Sequence, residues 1–560
     1  MEMKMRTKFA GHYLSLLVLI GFLAGIPSLK ARPTDGFYCH PSVQRGKKPM
    51  STFFPLLYRF PGSFLEGSQE QKPKPLEQYL EIELKRVEET YRLLDRFAQE
   101  IWPGWDNYHE AGFRIYFPNR VMLLVNPRKA VPAGYELLQG RTVGGKPIYL
   151  NRREQLPMEI KLPLTGAGGG GLTVKVRLSQ PDTPTSRSES ELGANSDNQI
   201  LMYVHELFHG FQENFGFMPE GDAILNFMSN TGFATYAHIE GMALERAYQE
   251  TDNPKALDYL KDYLVAHERR QAFMTPEMIA DEAVILTQEG TATYAEVKMA
   301  MSIRDKKYTP GILPQDDPFF FHFQGIDAYI ETYTTKSIRK EMADTLDTFG
   351  RCYPFGAYQC FLLDRFMPGW KRDFFKSKKT LGELIAHLLH LSPEQKQAIA
   401  QGLKAQYPYE EIYAQHDALI KERDDAVQQV KNRKGTKYIL DLINIREWFQ
   451  LKARGKEFFL KGIEKIYPHG VETFELGDIR LTTPDTPLRQ TWLHTYEWVA
   501  AEPGKGDKEY QVTFARKEGD TYKNLVFRTD GFTLNAPEAQ IKEDKDKHEI
   551  RIVVLSPVSG

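Results

Sequence analysis

Sulfur and net charge are what this chain has least of. Three cysteines in 560 residues, Cys39, Cys352 and Cys360, are too few to staple a fold of this size, and they form no CxxC pair or other cysteine metal site. A single Cys352–Cys360 bridge is compatible with an oxidising compartment and would leave Cys39 free. Lys+Arg 72 against Asp+Glu 74 gives a formal charge of -2, so no basic excess exists to neutralise phosphates and no nucleic-acid partner is expected. After the N-terminal region no stretch of about 18 uninterrupted apolar residues occurs, so no stable membrane span is expected in the mature chain. No internal repeat is present. The glycine run Gly168–Gly171 lacks the Lys-Ser/Thr of a phosphate loop and leads into a strand, so it reads as a flexible turn.

The N-terminus carries an export signature. Lys4, Arg6 and Lys8 precede the apolar stretch Leu14–Ile26, and Pro27, Ser28 and Ala31 follow it. This reads as a secretory signal over 1–31, cleaved near 25–32, with no lipobox before Cys39. The expected destination is the periplasm or the outside of the cell.

Residues 32–75 are rich in Pro, Gly and polar side chains and read as an extended lead-in. Leu76–Ile101 is an amphipathic helix stopped by Trp102-Pro103-Gly104. Strand-like pieces follow at 113–117, 121–125, 148–150 and 172–178. Helical sequence then runs to about 465, with the charged stretch Lys421–Lys434 as a solvated face. From 466 to 560 short alternating runs are separated by turn signals such as Pro503-Gly504 and Asp530-Gly531. The expectation is an α+β protein: a mostly helical domain with a small sheet over 76–465, and a β-rich C-terminal domain over 466–560.

The chemistry is concentrated in His205-Glu206-Leu207-Phe208-His209. On a helix, residues i and i+4 share a face, so both imidazoles reach one metal ion, and Glu206 sits where a base can take a proton from zinc-activated water. Leu201, Val204, Leu207, Phe208 and Phe211 repeat at helical spacing, with Ser196, Asp197 and Asn198 as N-cap candidates. Catalytic zinc takes three protein ligands and keeps a position for water. The HExxHxxGxxH pattern is excluded, because Gln212 and Phe215 stand where it needs Gly and His. A glutamate from a later helix is therefore expected as third ligand. Two segments offer one beside Gly and Ala: Ile239–Glu245, with Glu240, and Gln288–Glu296, with Glu289.

The chain resembles gluzincin-type zinc metallopeptidases. Within them it is most similar to exported bacterial proteins that pair HExxHxxQ with a late Glu-Gly-x-Ala-x-Tyr helix. The matching residues are His205, Glu206, His209, Gln212 and Glu289–Tyr294, with Ile239–Leu244 and Arg269-Arg270 between them. The match spans roughly 195–300, with weaker echoes at Gly356–Tyr358, Leu362–Asp364 and Pro368–Trp370. The resemblance implies a zincin-like catalytic domain, one Zn2+ per chain, a peptide or protein substrate, Glu289 as third ligand, and Glu240 as an ion-pairing residue with Arg269 or Arg270. The interval from His209 to Glu289 is long for a gluzincin, so Glu240 stays open as the alternative ligand.

Gluzincins commonly add a Tyr or His that hydrogen-bonds the developing oxyanion, for which Tyr294, Tyr353, Tyr358 and His322 are candidates. By analogy with the fold, Leu172–Leu178 is the candidate edge strand to pair with an extended peptide. His238 reads as a buried or capping histidine, and Phe319–Phe323 as core or a pocket wall. The alternative function is a secreted binding or surface protein that keeps a zincin fold without efficient catalysis. Glu206 speaks against it, since a purely structural zinc site has no use for a base beside its ligand. A zinc hydrolase of non-peptide amides fits the pentapeptide equally.

Overall fold

The computed structural model describes residues 76–555 apart from short stretches, the longer of which are 117–121, 152–156, 164–170, 178–185, 190–194, 217–229, 344–348, 444–449 and 500–510. The signal segment, the lead-in, Cys39 and Gly168–Gly170 lie outside the described residues. The rest is α+β, with a helical region followed by a separate sheet-rich region.

Helix α1 (Leu76–Ile101) buries Val87, Leu94, Phe97 and Ile101 along one face. It docks on α2 (Ser196–Glu213), the helix that carries the pentapeptide. The join is polar as well as apolar: Arg86 Nε donates to Ser196 Oγ at 2.9 Å, and the Tyr203 hydroxyl donates to Glu83. Trp102 and Trp105, just past α1, pack edge-on against Phe208 at 5.1 and 4.8 Å between ring centroids.

A five-stranded sheet lies between α1 and α2 in the chain: β1 (Phe113–Tyr116), β2 (Met122–Val125), β3 (Glu136–Val143), β4 (Lys146–Asn151) and β7 (Ser186–Glu189), in the order β3-β4-β2-β1-β7. β5 (Pro157–Pro163) and β6 (Gly171–Arg177) form a separate two-stranded pair. The edge strand expected at Leu172–Leu178 is thus not in this sheet. The edge beside α2 is β7, which pairs parallel with β1. Alternation marks β6 as a strand, but periodicity carries no information about a strand's partner.

Helices α3 (Thr231–Gln249), α4 (Asn253–Gln271) and α5 (Pro276–Asp305) follow, and α5 crosses α2. Further on come α6 (Ile326–Glu331), a π turn (Thr332–Lys336), α7 (Ser337–Ala343), α8 (Cys352–Phe366), α9 (Leu381–Leu389), α10 (Pro393–Gln406) and α11 (Tyr409–Asn432). Cys352 and Cys360 are both outside any disulfide and buried on α8. Eight positions along one helix separate their Cα atoms by about 12 Å, beyond the reach of a disulfide. The Cys352–Cys360 bridge is therefore ruled out.

Strands begin at β8 (Lys437–Ile443), upstream of the 465/466 boundary expected from composition. Tyr438, Ile439 and Leu440 are all buried, so β8 lacks the alternation that flags a half-exposed strand. β8 pairs parallel with Glu549–Leu555 in the middle of a 13-stranded, otherwise antiparallel sheet. The two ends of its strand path, β9 (Gln450–Ala453) and β10 (Phe458–Phe459), are joined only by residues 454–457. So few residues span at most about 18 Å, which requires the sheet to curl until its edges approach. Phe474, Leu481, Phe527, Leu534 and Ile552 are among the side chains that fill its concave side.

Helix α11 sits between α3 and this sheet, through Ala234, Ile420, Phe458 and Ile466. His238 Nδ1 of α3 and His416 Nε2 of α11 lie 3.2 Å apart in that seam. Burial lowers both pKa values to about 4, and for His416 the neighbouring His238 adds to the effect. A histidine held neutral in the fold gives stability that is complete above its unfolded pKa of about 6.5 and is lost as pH falls toward the folded value. Denaturant midpoints are expected to fall between pH 6.5 and 4, and His416→Phe to flatten that slope.

Candidate metal centre

Asn195 caps α2, its side chain accepting the amides of Asp197 at 2.8 Å and Asn198 at 3.4 Å. The N-cap is thus one residue before the candidates Ser196, Asp197 and Asn198. Asp197 is occupied otherwise, accepting the amides of Phe321 and Phe323. Ile200, Leu201, Val204, Leu207 and Phe208 bury the opposite side of the helix, which turns His205 and His209 toward α5.

Three ligand atoms converge there. His205 Nε2 and His209 Nε2 are 3.1 Å apart, and each lies 3.3 Å from Glu289 Oε2 of α5. The far nitrogens of both rings are committed elsewhere. His205 Nδ1 lies 3.0 Å from Glu296 Oε2, and His209 Nδ1 lies 2.7 Å from Gln212 Oε1. The Gln212 amide donates to Gln288 O at 2.8 Å and Thr291 Oγ1 at 2.7 Å, so its oxygen is the atom facing His209. Both Nδ1 atoms therefore carry a proton, which turns the two Nε2 atoms and a carboxylate oxygen toward one point. That arrangement calls for a cation.

The spacing fits one. Ligands about 2.0–2.1 Å from a tetrahedral ion sit about 3.3 Å from one another, which is the separation of these three atoms. His205, His209 and Glu289 form a buried group that can hold a metal ion, and among the described residues it is the only such group. The electrostatics agree. Burial opposes a charge on His205, but Glu289 and Glu296 outweigh it and raise its pKa to about 10. Burial likewise opposes the Glu289 carboxylate, which the two histidines hold well below the usual carboxylate range. Glu206, like His209, keeps partial exposure, and burial raises its pKa despite both histidines.

Glu240 lies elsewhere. Its carboxylate takes Arg270 Nε at 2.5 Å and also Arg351, while Arg270 Nη2 reaches Glu282 at 2.6 Å. All four side chains are buried. Of the two glutamates that the sequence leaves open, Glu289 is the one at the histidines, and the arginine partnering Glu240 on α4 is Arg270.

The oxyanion candidates also separate. The Tyr294 hydroxyl donates to Asp364 at 2.5 Å and receives Lys371 Nζ at 2.7 Å, a scaffold contact. The Tyr358 hydroxyl donates to Thr334 O. His322 sits in the loop before α6, at φ 55°. Tyr353 stacks on His205 at 5.9 Å, stands where the Glu289 charge bears on its phenol and stays partly exposed. Phe320 and Phe323 of the aromatic run are buried, whereas Phe321 is exposed.

Reading the sequence misses Glu296 and Gly356. Glu296 is seven residues after Glu289, two turns along the same helix face, and that spacing was its signal. Gly356 of α8 stood only in a weak echo of the resemblance, with nothing to mark its partner: it meets Gly290 backbone to backbone. A Cβ on Gly290 would lie 2.3 Å from Gly356 Cα, and one on Gly356 would lie 2.4 Å from Gly290 Cα. This crossing sets where Glu289 stands. Gly290→Ala is expected to destabilise the fold by about 2–3 kcal/mol and to weaken metal binding, read by denaturant unfolding beside metal titration.

No protein-family model, no curated protein and no solved structure matches this chain.

Proposed function

We propose that the chain is an exported zinc-dependent metallopeptidase, with His205, His209 and Glu289 as ligands of one zinc ion and Glu206 as general base. The observation that carries the reading is the pairing of a closed set of three ligand atoms with a partly exposed carboxylate whose pKa is raised. A site that served structure alone would have no use for that base. Two imidazoles and one carboxylate suit zinc among the first-row ions. Zinc in such a site supplies a Lewis acid that polarises the scissile carbonyl and brings the pKa of water to about 7.

The chain's own residues do the rest. Glu206 accepts the proton of the attacking water and passes it to the departing amine. Tyr353, a neutral phenol because burial raises its pKa well above the ordinary value, donates to the oxyanion that develops on the carbonyl. Among the described residues β7 ends the sheet beside α2, and its outer edge is the one that would take an extended peptide. The resemblance to gluzincins and the export signature support a peptide substrate outside the cytoplasm, and no helix among the described residues is long and apolar enough to cross a membrane.

The test is turnover of a mixed-sequence peptide library by zinc-loaded protein, followed by mass spectrometry. Cleavage that a chelator abolishes and added zinc restores is the expected result. Binding without cleavage, by protein that holds its zinc, would favour the secreted binding protein instead.

A further inference from the structure

The helix entered through Gly325 is not regular, because the π turn Thr332–Lys336 interrupts it between α6 and α7. A π turn forgoes regular backbone hydrogen bonding and recurs at functional sites. Its surroundings here converge on one carboxylate. The Tyr329 hydroxyl donates to Glu296 Oε1, while Glu296 Oε2 faces His205 Nδ1. Tyr333 packs at a tilt beside Tyr329 with ring centroids 4.9 Å apart, and the Glu296 charge bears on its phenol as on that of Tyr329. Within the π turn the Thr334 carbonyl accepts the Tyr358 hydroxyl of α8, the helix that also carries Tyr353 and Gly356.

We propose that this π turn is a positioning device for the metal centre, in which Tyr329 and Tyr333 lock Glu296 so that Glu296 fixes the tautomer and aim of His205. The inference rests on the metal reading above. A buried carboxylate bound only to His205 would keep one oxygen unsatisfied and be free to rotate about its terminal bond. The Tyr329 phenol removes both freedoms, and the Tyr333 ring packed beside it holds that phenol in place. Burial and the neighbouring Glu296 raise their pKa values well above the ordinary one, so both stay neutral and Tyr329 keeps the proton it donates. A histidine ligand whose outer N–H is tied to an anchored carboxylate is better oriented and more basic toward metal. Tyr329 and Tyr333 touch neither the ligand atoms nor Glu206 in any described contact; they act through Glu296 and are positioning residues.

The test uses the full mature chain and metal affinity, not turnover. Zn2+ affinity is measured by competition with a chromophoric chelator, and Co2+ binding by its visible absorption, for the parent, Tyr329→Phe, Glu296→Gln and the double variant. Glu296→Gln is expected to weaken binding about 10–100-fold and Tyr329→Phe about tenfold. The double variant should bind no more weakly than Glu296→Gln alone, because the phenol acts through that carboxylate. The Co2+ bands of Tyr329→Phe should shift although Tyr329 is no ligand. Should Tyr329→Phe not fold, Tyr333→Phe is the milder companion, with a smaller loss expected. Unchanged affinity and an unchanged Co2+ spectrum in a folded tyrosine variant would overturn the inference, as would losses that multiply in the double variant. A parent that binds neither ion would overturn the metal reading itself, and this inference with it.

Discussion

Glu206→Gln is expected to lose hydrolysis by about 10²–10⁴-fold while keeping its metal. The glutamine has the shape of the glutamate and the same first turn of neighbours, but its amide cannot accept a proton. The ligands His205, His209 and Glu289 are untouched, and their outer contacts to Gln212 and Glu296 remain. The same carboxyl sets the acid limb of the pH profile. Protonated, it is useless as a base, so the rate rises with pH as it ionises. Burial raises its pKa, which places the limb above the ordinary glutamate value of about 4.3. Steady-state kcat/KM across the acidic range measures it. A Glu206→Gln protein of undiminished activity would remove Glu206 from the chemistry.

Glu240→Ala should cost stability instead, about 3–5 kcal/mol. Glu240 and Glu282 balance Arg270 and Arg351 in a cluster buried from solvent. Removing Glu240 leaves Arg351 without a carboxylate among the described residues and Arg270 with Glu282 alone. The penalty is that of an uncompensated buried charge. A lower urea midpoint at unchanged slope, with metal stoichiometry intact at low denaturant, is the expected result. Loss of the metal at unchanged stability would return Glu240 to the ligand set.

These two variants show where sequence reading stops. Glu240 and Glu289 stand in near-identical Glu-Gly-x-Ala surroundings, and local pattern cannot choose between them. The choice lies in Arg351, 111 positions from Glu240 in the chain, and in the Gly290–Gly356 crossing that brings α5 near α2. The shared face of His205 and His209, by contrast, was legible, because that placement is contained in one helical turn. Leu76–Ile101 was legible to the residue, since an amphipathic period ended by Trp-Pro-Gly is a local statement. Periodicity also identified β6 as a strand, yet the sheet to which a strand belongs is a matter of tertiary pairing. The early start of the C-terminal sheet was missed because β8 is buried on both faces and reads as a plain apolar run.

The most direct test of the account is bound zinc per chain, measured by elemental analysis on the mature protein and on Glu289→Ala. The account predicts close to one zinc in the parent and its loss in Glu289→Ala, with Glu206→Gln retaining the metal as a folded control. A parent that takes up no zinc on reconstitution, or a Glu289→Ala protein that holds it undiminished, would contradict the metal centre.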